Sequence, residues 1–170
     1  DLFANYLGVK FIYKPFPVKK LYRNLTKGKI DFKFPDNSYW GGDFKKGVTI
    51  HYSDPGFTTT DGVFVLPKKA NLEKEGLKKL GFPRGFTPFM LMDDIKAGKI
   101  QTEESSNMEK ALLRGIMGYT DGVFVNIEVG KYYLKSQIND EDALVPGKNL
   151  PTSPSGWCLS TLYYPDITAK

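Results

Sequence analysis

Strand-forming segments alternate with helix-forming segments along most of this chain, and this alternation restricts its fold more than any other feature. Residues 9–13 and 30–34 read as strands, and residues 18–25 between them place their apolar side chains on one helical face. Two strands joined by a helix need a crossover connection, which is typical of a parallel sheet covered by helices. The pattern therefore predicts an α/β fold with mostly parallel sheets.

The second half of the chain repeats this plan. Strands are predicted at residues 80–82, 99–102 and 122–125, and helices at residues 89–97, 107–117 and 127–134. Between the halves, the sequence predicts strands at residues 48–52 and 62–66 and a polar linker at residues 68–78. The hexapeptide Thr60–Val65 recurs unchanged as Thr120–Val125. We interpret both copies as a turn that leads into a strand, because Asp-Gly is a turn-forming pair.

Composition and residue counts exclude several classes of function. The net charge of +5 is spread over the chain as short lysine pairs, whereas a nucleic-acid-binding protein gathers its charge on one face. The single histidine, His51, and the single cysteine, Cys158, cannot build a typical zinc site. The chain has neither a phosphate-binding glycine loop nor a dinucleotide fingerprint. We therefore expect no nucleic-acid partner, no metal and no cofactor.

Polar and aromatic side chains follow three of the predicted strands. Ligands of open α/β sheets usually bind at the carboxyl ends of strands, so these side chains are candidates for a ligand cleft between the two halves. The candidate ligand-binding residues are Asn37, Ser38, Tyr39, Trp40, Arg84, Phe86, Thr87 and Asn126.

The segment from Arg84 to Pro88 carries the clearest binding chemistry. We predict Thr87 as the N-cap of the following helix and Pro88 in its first turn. The free N–H groups at such a helix start bind anions, and Arg84 adds a partner for a carboxylate. The alternative is a plain capping turn with a surface arginine. For the segment around Trp40, the alternative is a loop whose tryptophan packs inward.

In the order of these elements, the chain resembles the periplasmic solute-binding proteins of the polar-amino-acid type, which serve bacterial ABC uptake systems. The resemblance covers most of the chain and is carried by five stretches. These are Leu7–Lys10, Leu25–Phe32, Tyr52–Pro55, Arg84–Thr87 and Leu112–Leu134.

The resemblance implies a type II periplasmic-binding-protein-like fold with two α/β lobes that close on a ligand. Lobe 1 would comprise residues 1–66 plus 152–170, and lobe 2 residues 68–150. The hinges would fall near residues 65–69 and 149–155. The family's first strand would precede Asp1 and its closing helices would follow Lys170, so we expect a chain that is trimmed at both ends.

Three departures from the family pattern bear on the ligand. The family usually has an arginine for the α-carboxylate where this chain has Lys45, Lys46 and Gly47. It usually has an aspartate for the α-ammonium where Asn126 stands, and a small hydroxyl residue where Phe86 stands. These departures weaken the assignment of an α-amino acid as the ligand. Arg84 and Thr87 still indicate a carboxylate-bearing ligand, an amino acid or a related compound, and the aromatic residues of the two segments indicate an apolar or ring-bearing remainder.

The resemblance implies that the protein captures a small polar solute for an ABC importer and is not an enzyme. It would act as a monomer with a membrane permease, either in the periplasm or anchored by lipid outside the cytoplasm. One alternative is a sensory or structural domain with a weak site. Another is a periplasmic enzyme of the dehydratase or lyase type, for which Asp121 and Glu128 are the candidate acid–base residues.

Overall fold

A mixed eight-stranded sheet runs through the molecule, which the computed structural model describes for residues 2–169. The strands are β1 (Phe32–Asp36), β2 (His51–Tyr52), β3 (Phe57–Val65), β4 (Lys79–Pro83), β5 (Gln101–Ser105), β6 (Gly122–Asn126), β7 (Val145–Pro146) and β8 (Ser153–Thr161). Their order in space is β1-β8-β3-β6-β4-β5, with β2 beside β8 and β7 beside β3. Asp1 and Lys170, which belong to the predicted lobe 1, lie outside the described residues.

Seven α-helices of the described residues pack around this sheet. They are α1 (Leu2–Leu7), α2 (Val18–Thr26), α3 (Gly42–Lys45), α4 (Met92–Lys96), α5 (Met108–Ile116), α6 (Ile127–Tyr133) and α7 (Pro165–Thr168). A turn of 3-10 helix at Phe89–Leu91 leads into α4, and a π-helical turn at Leu134–Ile138 extends α6. None of the helices within residues 2–169 is long and apolar enough to cross a membrane.

The sheet has two parts of different strand direction. In the parallel part, β4 pairs with β5 and β6 in the parallel sense. In the antiparallel part, β8 pairs with β1, β2 and residues Phe57–Asp61 of β3. The end of β3 pairs antiparallel with β6 through Asp61–Phe64 and so joins the two parts. The predicted α/β class is confirmed, but the parallel arrangement predicted for the first half is wrong. There β8, from the C-terminal stretch, occupies the place beside β1.

Most predicted elements of the second half are present within one to three residues, whereas the first half differs more. Residues 9–13 do not form the predicted strand. The ring of Phe11 instead packs against those of Phe3 and Phe32, with centroids 6.0 Å and 5.9 Å away. β1 begins two residues later than predicted, and β3 begins five residues earlier because β8 supplies a partner for residues 57–61.

The parallel part holds the apolar core on both faces of the sheet. Successive residues of a strand point to opposite faces, so Val63 and Val65 pack on one side with Leu80, while Phe64 packs on the other with Leu112. The antiparallel part buries different chemistry. Its buried side chains include Lys33, Asp36, Lys45, Ser160 and Thr161.

Candidate functional site

The loop after β1 and the loop after β4 meet where the two parts of the sheet face each other. The backbone N–H of Gly41 donates to the Thr87 hydroxyl at 3.0 Å. The ring of Tyr39 stacks on that of Phe89, with centroids 5.8 Å apart. The two halves of the chain therefore contact each other through segments that sequence analysis had singled out.

A glycine allows the second of these loops to approach α2 closely. Gly85 has a φ of +92°, and a Cβ atom there would lie 3.0 Å from Cβ of Val18. A residue with a side chain would be strained in its backbone and would also push α2 away. The close approach of this loop to α2 therefore depends on Gly85.

Hydrogen bonds within the first loop set its shape. The Asn37 side-chain oxygen accepts from the N–H of Tyr39 at 3.0 Å, and the side-chain amide donates to the Gly156 carbonyl at 2.8 Å. The N–H of Trp40 donates to the Asn37 carbonyl at 3.1 Å. Ser38 and Tyr39 are exposed and Trp40 is half-buried. Asn37 thus folds the loop, and the side chains after it are presented to solvent and to the second loop.

The second loop differs from its predicted form. Pro88, not Thr87, precedes the first helical turn, and no side chain caps that turn. The predicted N-cap at Thr87 is therefore wrong. The N–H of Phe89 bonds to the Thr87 carbonyl at 2.8 Å, so the backbone closes this turn and the hydroxyl is left to accept from Gly41.

Charged groups from both halves converge beside this loop. The Lys19 ammonium on α2 lies 2.9 Å from the Glu104 carboxylate on β5, and Nε of Arg84 lies 3.5 Å from the same carboxylate. All three side chains are about one-third exposed or more. Neither Lys19 nor Glu104 is among the candidate residues predicted from the sequence, because nothing in the local pattern brings α2 to β5.

A cavity of about 350 Å³ lies between the two loops. Lys19, Gly41 and Phe44 line it from the first half, and Phe86, Thr87 and Glu104 from the second. Its volume is within the range of small-molecule sites. A larger cavity of about 460 Å³ lies between residues 66–68 and 116–118, where none of the candidate residues lies.

Asn126 occupies a separate, buried position at the end of β6. Its side-chain oxygen accepts from the N–H of Val129 at 3.2 Å and so caps α6. Its amide group donates to the Thr59 hydroxyl at 2.6 Å and to the Asp61 carboxyl at 3.1 Å. Because these bonds use both amide hydrogens, Asn126 is committed to protein groups. Of the eight candidate residues, only Phe86 and Thr87 line the cavity of about 350 Å³.

Asp61 is the buried carboxyl that sequence analysis misread. It lies within β3, not in a turn before a strand, and burial raises the pKa of its carboxyl. Asp121, at the same place in the second hexapeptide copy, does precede its strand. It accepts from the N–H groups of Lys78 and Lys79 and pairs with Lys69 at 2.8 Å. Asp121 therefore has a structural role.

Glu128, the other candidate acid, contacts β3. Its carboxylate accepts from the N–H of Thr60 at 3.4 Å. Among residues 2–169, no group of three or more His, Cys, Asp or Glu side chains is arranged to hold a metal ion.

The sheet order and the facing loops define a two-lobed periplasmic-binding-protein-like fold. The chain has this fold in common with an ancestral arginine-binding protein bound to arginine, at a TM-score of 0.74 and 21% identity over 98% of this chain and 74% of that one. It is similar to the arginine-, lysine-, histidine-binding protein ArtJ from Geobacillus stearothermophilus, at a TM-score of 0.71 and 17% identity over 98% and 71% of the two chains. It is also similar to the ancestral amino acid-binding protein AncCDT-1, a precursor of cyclohexadienyl dehydratase, at a TM-score of 0.68 and 19% identity over 95% and 67%.

No protein-family model matches the chain, and no curated protein matches it. The structural similarity confirms the expected fold class. At these sequence identities it shows a shared fold and not a shared function.

Proposed function

We propose that this protein is an extracytoplasmic solute-binding protein that holds a small, carboxylate-bearing ligand between its two lobes. The observation that carries the proposal is the meeting of the loop after β1 with the loop after β4 around a cavity of about 350 Å³. The solved structures with this fold include several amino-acid-binding proteins, which makes an amino acid the first ligand to test.

In this proposal, the Arg84 guanidinium and the Thr87 hydroxyl hold the carboxylate of the ligand. In the present structure Glu104 forms ion pairs with Arg84 and Lys19, so a ligand carboxylate would replace Glu104 as their partner. The rings of Tyr39, Trp40 and Phe86 would cover the apolar part of the ligand. Asn126 would act indirectly, since its side chain bonds to Thr59, Asp61 and Val129.

Two chain segments support the proposed hinges near residues 65–69 and 149–155. They run side by side, since the N–H of Lys148 donates to the Ala70 carbonyl at 2.8 Å and the Asn149 side chain donates to Glu73 at 2.6 Å. Two adjacent connections can bend together as the lobes open. On this basis we propose lobe 1 as residues 1–66 plus 152–170 and lobe 2 as residues 68–150. A monomer would deliver its ligand to the membrane permease of an ABC importer and would catalyse no reaction.

Thermal unfolding with a panel of L-amino acids, small carboxylates, amines and sugars tests the proposal. A ligand at about one hundred times its dissociation constant adds about 2.7 kcal/mol to the free energy of unfolding. For a chain of this length, that raises the melting temperature by about 2–4 °C per kcal/mol. We expect a rise with one class of carboxylate-bearing compound, beginning with L-arginine.

The matched variants are Arg84→Gln and Arg114→Gln. Arg114 also pairs with a β5 carboxylate, that of Glu103. Glu103 does not line the cavity, whereas Glu104, the partner of Arg84, does. We expect Arg84→Gln to weaken binding about tenfold, since a hydrogen bond to a charged group contributes about 1.5–3 kcal/mol, and Arg114→Gln to leave it unchanged. A folded protein that responds to no member of the panel would instead favour a sensory or structural role.

A further inference from the structure

A cluster of buried charges lies directly beneath the loop after β1. Asp36 is fully buried, and its carboxylate lies 3.1 Å from the Lys33 ammonium and 3.0 Å from that of Lys45. Both lysine side chains are more than nine-tenths buried. This lysine–aspartate cluster (Lys33, Asp36 and Lys45) therefore holds two positive charges against one negative charge.

Aromatic rings enclose the excess positive charge. The Tyr22 ring centroid lies 4.7 Å from the Lys33 ammonium and 5.1 Å from that of Lys45. Trp40 lies 5.8 Å from the Lys33 ammonium and Tyr52 lies 5.1 Å from that of Lys45. The faces of these rings carry partial negative charge and attract cations.

The cluster also bonds to the backbone at the start of the loop. The Lys33 ammonium donates to the Pro35 carbonyl at 2.5 Å, and the Lys45 ammonium donates to the Asn37 carbonyl at 2.8 Å. The N–H of Asn37 donates to the Asp36 carboxylate at 2.8 Å, and the Ser160 hydroxyl on β8 donates to it at 2.6 Å. Together these bonds fix the residues that immediately precede Ser38, Tyr39 and Trp40.

A buried ionic cluster of this kind usually adds little to the free energy of unfolding, so stability alone does not explain it. Buried ion pairs can often be replaced by apolar side chains of similar volume without loss of stability, because desolvation offsets the attraction between the charges. Burial lowers the pKa of both lysines, which expresses the same desolvation cost. The bonds to the loop are what an apolar replacement would not supply.

We infer that Lys33 and Lys45 are positioning residues of the proposed ligand site: acting with Asp36, they hold the loop of residues 37–40 in the conformation that receives the ligand. This inference rests on the proposed function. The two lysines are buried and act through the loop backbone, while Tyr39 stacks on Phe89 beside the second loop.

The test compares Lys45→Met with Lys29→Met. Lys45→Met keeps most of the side-chain volume, removes the bond to Asn37 and leaves Lys33 and Asp36 as a balanced pair. Lys29 is an exposed lysine in the same half of the chain and lies outside the cluster and the loop, so its variant is the matched control. Both are made in a Trp157→Phe background, where Trp40 is the only remaining tryptophan of the two in the chain. Acrylamide quenching of Trp40 fluorescence then reports the loop without any ligand, and calorimetric titration with L-arginine, or with the compound that the ligand panel identifies, reports affinity.

We expect Lys45→Met to increase the quenching of Trp40 and to weaken ligand binding about tenfold, the loss typical of a charged hydrogen bond. Its unfolding midpoint should stay close to that of Lys29→Met, which separates a positioning role from a role in stability alone. Lys33→Met should weaken binding in the same direction, and it replaces Lys45→Met if that variant does not fold.

Unchanged quenching of Trp40 overturns the inference whether or not a ligand is found, as does changed quenching with unchanged affinity. If the parent protein binds no compound of the panel, the proposed function fails, and the inference is then decided by the quenching of Trp40 alone.

Discussion

Two buried aspartates, Asp36 in β1 and Asp61 in β3, have opposite surroundings. Asp36 lies within 3.1 Å of two ammonium groups and accepts further bonds from Ser160 and from the N–H of Asn37. Asp61 is 4% exposed and accepts from the amide of Asn126 at 3.1 Å, and no lysine or arginine of residues 2–169 forms an ion pair with it. Asp36 thus contacts two positive charges, one more than its own charge balances, whereas Asp61 contacts none.

The comparison shows that burial shifts the pKa of the charged group that lacks enough opposite charge in contact with it. Around Asp36 the uncompensated charge is positive, and burial lowers the pKa of Lys33 and Lys45. Around Asp61 the uncompensated charge is the carboxylate itself. Burial raises its pKa, and the neutral hydrogen-bonding groups of Asn126 and Ser155 oppose that rise only in part. The Asp36 carboxylate therefore stabilises the lysine–aspartate cluster, whereas the charge on the Asp61 carboxylate lowers the free energy of unfolding.

The largest effect is expected when the negative charge is removed from the first cluster. Asp36→Asn leaves the two buried ammonium groups of Lys33 and Lys45 without a counterion. Removing one partner of a buried pair typically costs about 3–5 kcal/mol, because the remaining charge is then uncompensated. We expect a loss of this size in the free energy of unfolding, measured by urea denaturation at neutral pH.

The exposed Asp31, one residue before β1, provides the control for that measurement. Asp31→Asn should change the free energy of unfolding by less than about 0.5 kcal/mol, as most surface substitutions do. If both variants lose the same small amount, Asp36 does not compensate the lysines, and the contrast with Asp61 is lost.

A smaller effect of opposite sign is expected at the second carboxyl. At neutral pH Asp61→Asn removes an uncompensated charge, and the buried Ser155 hydroxyl beside it can accept from the new amide. We expect the variant to be more stable than the parent protein at pH 7 by about 1–2 kcal/mol, the order of the cost of burying an unsatisfied polar group.

The pH dependence of this gain follows from the direction of the pKa shift. The folded-state pKa of Asp61 is raised above 3.8, so lowering the pH through that raised pKa protonates the folded protein first. The cost of the charge then disappears, and the difference between variant and parent should shrink towards zero as the pH approaches 3.8. The exposed Asp54 provides the control variant, Asp54→Asn. A variant at position 61 that is less stable than the parent at pH 7 contradicts this account.

The surroundings of Asp36 and Asp61 could not be predicted from the sequence, unlike the elements of the parallel part. The helices and strands of the parallel part could be predicted because their apolar periodicity and local signals, such as the Asn107 cap of α5, are contained in short segments. Lys45 and Lys46 are neighbours in one of the lysine pairs of the sequence, and only the fold distinguishes the buried lysine from the exposed one. The identical copies around Asp61 and Asp121 were assigned alike for the same reason. The pairing of β3 with β8 through residues 57–61 draws Asp61 into a strand, and this contact spans almost a hundred residues of sequence.

The smallest effect is expected at Glu104, a carboxylate that contacts two cations as Asp36 does but remains exposed. Its partners Lys19 and Arg84 lie at 2.9 Å and 3.5 Å, and the three side chains are 34%, 38% and 63% exposed. Exposed pairs contribute about 0.2–1 kcal/mol, so Glu104→Gln should lower the free energy of unfolding by no more than that. The loss should largely vanish at about 1 M salt, where the screening length falls to roughly 3 Å.

Glu141→Gln is the control for Glu104, because Glu141 pairs with Lys135 at 3.0 Å within one half of the chain and does not join the two halves. A larger loss for Glu104→Gln than for Glu141→Gln would measure what the contact between the halves adds to an exposed ion pair. If Glu104→Gln instead costs as much as Asp36→Asn, and the loss persists in high salt, then the number of cations around a carboxylate decides its contribution to stability. The difference between Asp36 and Asp61 would in that case follow from their partners alone, without any contribution from burial.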